Sequence, residues 1–290
     1  MSHCKPHQPQ KHYNSRMTDS YAVIGNPIAH SQSPRIHAEF ARQTSQDIFY
    51  TSIFCEVGAF AQTVRAFREQ DGKGMNVTLP FKHEAFALAT RRSERAEQAG
   101  AVNTLSFSDD TITGDNTDGA GLLRDITDNL HFDLRDKRAL LLGAGGASFG
   151  VVGPLLAQPV RSLTIANRTL SKAVELRARF SAHANAANVQ GCGYEALKSR
   201  QFDLVINATS AGLTGAMPAL PDGVFAPGAL AYDMVYGRAT PFMACAQAHG
   251  AQVADGLGML VEQAAESFFI WRGVRPQTAP VIALLRGAAR

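Results

Sequence analysis

The segment that most restricts the fold of this chain is Ala139-Leu140-Leu141-Leu142-Gly143-Ala144-Gly145-Gly146-Ala147-Ser148. Its apolar run has no polar face to offer water, so it fits a strand buried on both sides, as in a parallel sheet. The glycines that follow allow a tight turn into a helix, expected over 147–157. Strand, glycine-rich turn and helix together point to an α/β architecture.

The rest of the chain repeats that alternation. Strands are expected at 21–25, 48–54 and 75–79, with helices at 34–44, 60–69 and 84–99 between and after them. Ser33 is read as the N-cap of the first helix and Pro34 as its first residue. A two-stranded excursion at 103–107 and 111–114 precedes a helix over 117–129. Beyond the glycine-rich turn come strands at 162–167, 202–207 and 229–234, with helices at 171–183 and 241–249. The final helix, 257–272, is apolar along one side and is expected to fold back onto the first layer. The 290 residues suit two domains. The first is placed at 18–117 together with 256–290, and the second at 118–255.

Composition excludes several classes of function. Of 28 basic side chains, three (Lys5, Lys11, Arg16) lie in residues 1–17, leaving 25 against 25 acidic ones. A balanced body without a basic stripe argues against a nucleic-acid partner. No apolar run approaches the ~20 residues of a membrane span, and residues 1–17 lack the apolar core of a signal peptide. Four scattered cysteines without metal-ligand spacing fit reduced thiols and a cytoplasmic enzyme with no metal. The polar residues 1–17 are read as a disordered extension, or as preceding a true start at Met17.

The glycine-rich turn brings backbone N–H groups to a helix N-terminus, where a pyrophosphate is favoured. Its sixth position is Ser148 instead of glycine or alanine. An NAD site carries an acid ~20 residues on, for the ribose 2′-hydroxyl. Here Asn167-Arg168-Thr169 stands there, with Lys172 close behind. Guanidinium and ammonium groups suit a 2′-phosphate, so these residues favour NADP over NAD; the alternative is a basic surface cluster at a helix start.

Lys82 ends the run Met75-Asn76-Val77-Thr78-Leu79-Pro80-Phe81-Lys82 and opens the next helix, where the dipole does not favour a cation. It is either a solvated surface lysine or an acid–base group, for lysine is the cation whose pKa moves readily on partial burial. Ser33 is accounted for as a cap, but Ser31 is not. Two hydroxyls beside a strand end suit a carboxylate or a polyol. Asn103 reads as a turn residue and Asp118 as a first-turn carboxylate.

Taken in order, GNPIAHSQSP, MNVTLPFK, AVNT, GDNTDG, GAGGAS, NRT, INATSAG and DGLGMLVEQAA resemble the shikimate dehydrogenase family over about residues 20–275. The resemblance implies reversible reduction of 3-dehydroshikimate to shikimate with NADPH, on the way to aromatic amino acids. It implies that Ser31 and Ser33 hold the substrate carboxylate. Asn76, Thr78, Asn103, Tyr236 and Gln263 would contact the rest of the substrate, and Lys82 and Asp118 would form the catalytic pair. It further implies a cofactor lined by Gly143, Ala144, Gly145, Gly146, Ala147, Asn167, Arg168, Thr169, Lys172, Thr209 and Gly256, with Gly258 and Met259 against its nicotinamide. Phe149 stands where an arginine is frequent, which removes one cofactor contact. The stretch 236–241 is shorter than in some members. Quinate or an aminoshikimate is the rival substrate, and a regulatory NADP-binding module the rival class. The enzyme is expected to be a monomer or a homodimer.

Overall fold

The computed structural model describes residues 18–183, 185–209, 211 and 216–288. The expected N-terminal extension lies outside the described residues. Two six-stranded sheets carry the chain.

In the first sheet β1 (Asp19–Gly25) lies between β2 (Ile48–Phe54) and β3 (Gly72–Val77), parallel to both. Helices α1 (Ser33–Thr44) and α2 (Phe60–Glu69) connect these strands. The expected parallel layer stops there. The hairpin of β5 (Thr104–Ser108) and β6 (Thr111–Asp115) joins it antiparallel to β3. Ala22, Ile24, Phe60, Met75, Val77, Phe81 and Leu105 form the core beside it.

The helix expected over 84–99 is two helices, α3 (Lys82–Leu88) and α4 (Glu94–Ala99), with the short strand β4 (Arg91–Arg92) between. The break has a local cause. The Thr90 N–H donates to the Ile112 carbonyl at 2.8 Å, and the Ile112 N–H donates to Thr90 Oγ1 at 3.0 Å. Ser93 then caps α4 by accepting from the Ala96 N–H. Thr and Ser at these positions give the backbone partners that compete with a continuous helix.

The first helix also differs from expectation at its start. Its N-cap is Gln32, and Ser33 is its first residue, without a side-chain capping bond. The Ser33 N–H is instead held by Ser31 Oγ at 3.3 Å.

The second sheet is parallel throughout, in the order β12-β11-β10-β7-β8-β9. Its strands are β7 (Arg138–Leu142), β8 (Ser162–Ala166), β9 (Val189–Cys192), β10 (Phe202–Asn207), β11 (Phe225–Asp233) and β12 (Gln252–Asp255). Read from the other edge, this is the doubly wound dinucleotide-binding order, with its switch point between β7 and β10. Leu140 and Leu142 share one core with Val205, Ala231 and Phe242, while Ala139 and Leu141 share the other with Val151, Leu155 and Ile206. The apolar run is therefore buried on both faces, as its sequence requires. Helices α6 (Gly146–Leu156), α7 (Leu170–Arg179) and α8 (Pro241–Ala248) cover the sheet. Strands β9 and β12, not expected from sequence, are four-residue edge strands with little apolar signal.

Two helical runs tie the sheets together. One is α5 (Asp118–Arg124), which continues into a π-helical turn, Asp125–Asn129. The other is α9 (Leu257–Arg272), followed by α10 (Ala279–Ala288), which was not expected. Val261, Ala264, Ala265 and Phe268 of α9 pack with Ile36 and Phe40 of α1, so the last long helix does return to the first layer. Gly121 lets α5 and α9 approach: a Cβ there would lie 2.7 Å from the Gln263 backbone nitrogen. Glu266 on α9 is clamped by Arg95 of α4, Arg124 of α5 and Arg275. Burial opposes its ionisation, but the Arg275 hydrogen bond and the charges of Arg95 and Arg124 prevail, holding its carboxyl at about 2.

Candidate active site

Strand β3 ends at Val77, and the Thr78 N–H still reaches the Ile24 carbonyl at 3.0 Å. Phe81 is fully buried and stacks on Phe60, which pins the residue immediately before Lys82. Lys82 therefore opens α3 with its side chain only 18% exposed, not as a solvated surface lysine. Its Nζ donates to Asp118 Oδ2 at 2.5 Å. Asp118 is the first residue of α5, where the helix dipole favours its charge. Its other oxygen, Oδ1, accepts from Asn103 Nδ2 at 2.8 Å.

The polar net continues inward from Asn103. The Asn103 Oδ1 accepts from the Thr117 N–H and from Thr104 Oγ1, both at 2.9 Å, so the residue is a buried organiser and not a surface turn. Gln263 Oε1 faces Asn103 and Thr117 at 3.4 Å. Ser267, one turn further along α9, accepts from Asn76 Nδ2 at 2.9 Å and lies 2.8 Å from Thr104 Oγ1. The Asn76 Oδ1 accepts from the Tyr50 hydroxyl at 2.7 Å. Burial pushes the Tyr50 phenol well above its usual range, so it stays a neutral donor. One hydrogen-bonded chain thus links Tyr50 to Lys82 through Asn76, Ser267, Thr104, Asn103 and Asp118.

Tyr50, Thr104, Thr117 and Ser267 were not singled out in the sequence. Thr104 and Thr117 lie inside the quoted motifs AVNT and GDNTDG, and Ser267 lies four residues beyond Gln263 on the same helix. Tyr50 carries no such signal, because only strand pairing brings β2 beside the first turn of α1.

Ser31, Thr78 and Tyr236 are half-buried. Among the described residues the Thr78 and Tyr236 hydroxyls have no hydrogen-bond partner, which leaves them for a ligand. Burial raises the Tyr236 phenol above its usual value. Gln263 Nε2 donates to the Leu260 carbonyl at 2.8 Å, which fixes the orientation of its amide.

The candidate cofactor residues gather at the C-terminal ends of the second sheet. Gly143 follows β7 with φ of 106°, and a Cβ there would meet the Ala208 carbonyl and the Thr209 methyl at 3.2 Å. Gly145 and Gly146 face open space, since a Cβ on either would meet nothing within 4 Å. Helix α6 has no side-chain cap, so its first N–H groups are free for an outside anion. Thr209 Oγ1 donates to Asn207 Oδ1 at 2.7 Å beside that turn. Asn167 ends β8's extension by donating to the Thr169 carbonyl. Arg168 and Lys172 are exposed and have no hydrogen-bond or ion-pair partner within the described residues. An open glycine cradle, an uncapped helix and two free cations suit the pyrophosphate and 2′-phosphate of NADP.

The nucleotide half and the Lys82 pair are in contact. A Cβ on Gly150 of α6 would lie 3.3 Å from the Asp118 Cβ and 2.9 Å from Asn116 Oδ1. Phe149 packs edge-on to His83, with ring centroids 6.0 Å apart, and the Arg179 guanidinium lies 4.9 Å from its ring centre. Gly256 caps α9 where a Cβ would strike the Met234 carbonyl at 2.3 Å.

Comparison with known proteins gives a single picture. Residues 23–105 match the shikimate dehydrogenase substrate binding domain, 125–214 the shikimate / quinate 5-dehydrogenase family, and 256–286 the shikimate 5′-dehydrogenase C-terminal domain. The shikimate dehydrogenase (NADP(+)) of Nitrosospira multiformis is 57% identical over 94% of this chain and 98% of its own length. That of Dechloromonas aromatica is 58% identical over 93% and 98%. Among solved structures, shikimate 5-dehydrogenase from Thermus thermophilus, in complex with NADP(H) and shikimate, has a TM-score of 0.83. It is 32% identical and covers 93% of this chain and 99% of that one. The 5-ketofructose reductase of Gluconobacter sp. strain CHM43 has the same fold at 27% identity, covering 93% and 99%, with a TM-score of 0.81.

Proposed function

The chain belongs to the shikimate dehydrogenase family, and from that premise we propose how its residues divide the work of an NADP-dependent oxidoreductase that interconverts 3-dehydroshikimate and shikimate. The reaction lies in the shikimate pathway. The observation that carries the reading is the 2.5 Å contact of Lys82 with Asp118, packed against the helix that opens at the glycine-rich turn.

Bound NADPH supplies the hydride, and NADP+ takes it back. Reduction of the ketone builds negative charge on its oxygen, so a proton donor must stand beside it. Lys82 Nζ holds that proton and receives it again in the oxidation direction. Asp118 keeps the ammonium aimed, and Asn103 fixes the carboxylate in turn. Ser31 and Ser33 hold the substrate carboxylate by their hydroxyls. Thr78 and Tyr236 bring hydroxyls without a hydrogen-bond partner among the described residues, and Gln263, Asn76 and Asn103 complete the polar wall.

The glycine-rich turn, Gly143 to Ala147, receives the pyrophosphate. Arg168 and Lys172 bind the 2′-phosphate, with Asn167, Thr169 and Thr209 shaping the same rim. Gly256, Gly258 and Met259 border the nicotinamide. Residues 18–117 with 256–290 serve the substrate, and 118–255 serve the nucleotide. Among the described residues no helix is long and apolar enough to cross a membrane, and we place the enzyme in the cytoplasm as a monomer or homodimer.

The test crosses shikimate and quinate with NADP+ and NAD+ in a spectrophotometric assay. Turnover concentrated in the shikimate and NADP+ pairing supports the reading. Preference for quinate, or for NAD+, overturns the corresponding half of it.

A further inference from the structure

Asp125 opens the π-helical turn that follows α5 and is 2% exposed. Its Oδ2 accepts from the Tyr232 hydroxyl at 2.6 Å, and its Oδ1 from Asn129 Nδ2 at 3.0 Å. Among the described residues it has no salt-bridge partner. A buried carboxylate without a paired cation is costly, so these two hydrogen bonds are what hold it in place. Tyr232 lies fully buried near the end of β11.

The pair acts on the start of α9. The Tyr232 oxygen accepts from the Met259 N–H at 3.3 Å, within the first turn of a helix whose N-cap, Gly256, has no capping side chain. The Asp125 carboxylate presses on the neighbouring residue: a Cβ on Gly258 would fall 1.8 Å from its Oδ1. Three elements meet here, namely the helical run that begins at Asp118, a strand of the nucleotide sheet, and the helix that carries Gln263 and Ser267.

We propose that Asp125 and Tyr232 are positioning residues for hydride transfer: together they cap α9 from outside and set the Gly258–Met259 backbone against the nicotinamide. This rests on the reading of Gly258 and Met259 as the nicotinamide border. Asp118 and Asp125 lie two turns apart on one run. The acid–base pair and the nicotinamide support are thereby held by the same rigid piece.

Tyr232→Phe removes the hydroxyl and keeps the ring, and Asp125→Asn keeps an acceptor for Tyr232. Wild-type turnover of shikimate with NADP+ checks the underlying reading by itself, and the ratio of variant to wild type checks the proposal. In a stopped-flow single turnover with both ligands saturating, Tyr232→Phe lowers the hydride-transfer rate about tenfold. Its Michaelis constant for shikimate and its dissociation constant for NADPH stay within about twofold. The fluorescence anisotropy of bound NADPH falls, because the ring is held less firmly. Asp125→Asn shifts rate and anisotropy the same way, by about threefold in rate, and decides the matter if Tyr232→Phe does not fold. A lower melting temperature with unchanged hydride-transfer rate and anisotropy makes the pair structural and overturns the proposal.

Discussion

Lys82 and Asp118 meet at 2.5 Å from the first residues of two different helices, and the second oxygen of the same carboxylate is taken by Asn103. The ammonium thus faces a carboxylate that cannot turn away from it. An ion pair so anchored keeps Lys82 oriented without freezing the protons on its other side.

The two residues act as one unit, so their losses should not multiply. Asp118→Asn lowers turnover about 10²-fold, and adding Lys82→Ala to it costs little more. Turnover numbers of both single variants and the double one check this. Independent, multiplicative losses would separate the two roles.

Arg168 is exposed, and among the described residues its side chain has no hydrogen-bond or ion-pair partner, so its removal breaks neither kind of contact there. Arg168→Ala raises the Michaelis constant for NADP+ by about tenfold or more, the loss of one charge-assisted contact, and leaves that for shikimate nearly unchanged. Parallel increases in both constants would make Arg168 structural.

Ser267 receives the Asn76 amide in a fully buried position. That amide also reaches the Asn103 carbonyl at 3.3 Å and Thr104 Oγ1 at 3.2 Å, so Ser267→Ala removes the shortest of its three contacts and costs about 1 kcal/mol in stability, read from urea unfolding. Unchanged stability would mean that Thr104 and the Asn103 carbonyl satisfy Asn76 without it.

His37 is fully buried and stacked on Tyr50 with ring centroids 4.1 Å apart. Neither ring nitrogen has a hydrogen bond of good geometry. Burial lowers its pKa to about 3, and the nearby Asn76 side chain opposes the shift only in part. The unfolded chain binds this proton below about 6.5 and the folded one does not, so the contribution to stability is complete above that value and is lost on acidification. Between pH 6.5 and 4.5 wild type loses about 2–3 kcal/mol more than His37→Phe. Parallel stability curves would show that His37 titrates alike in both states.

Whereas the return of the last long helix rested mainly on the family resemblance, the buried strand and the glycine-rich turn were legible because each leaves a pattern within a few neighbouring residues. Lys82 and Asp118 stood out for the same reason, one as a cation at the wrong helix end and both within distinctive motifs. The inner polar net was not legible. Tyr50, Thr104, Thr117 and Ser267 meet through strand pairing and helix packing that no local spacing encodes. The break at Ala89 and Thr90 was hidden too, since it depends on a hydrogen bond to Ile112, 22 residues on. The edge strands β9 and β12 owe their form to the neighbour they pair with more than to their own four residues.

The catalytic role of Lys82 is tested most directly by the turnover of Lys82→Ala with shikimate and NADP+. The variant should be slower by about 10²-fold or more, with a Michaelis constant for shikimate close to that of wild type. Near-normal turnover would contradict the assignment.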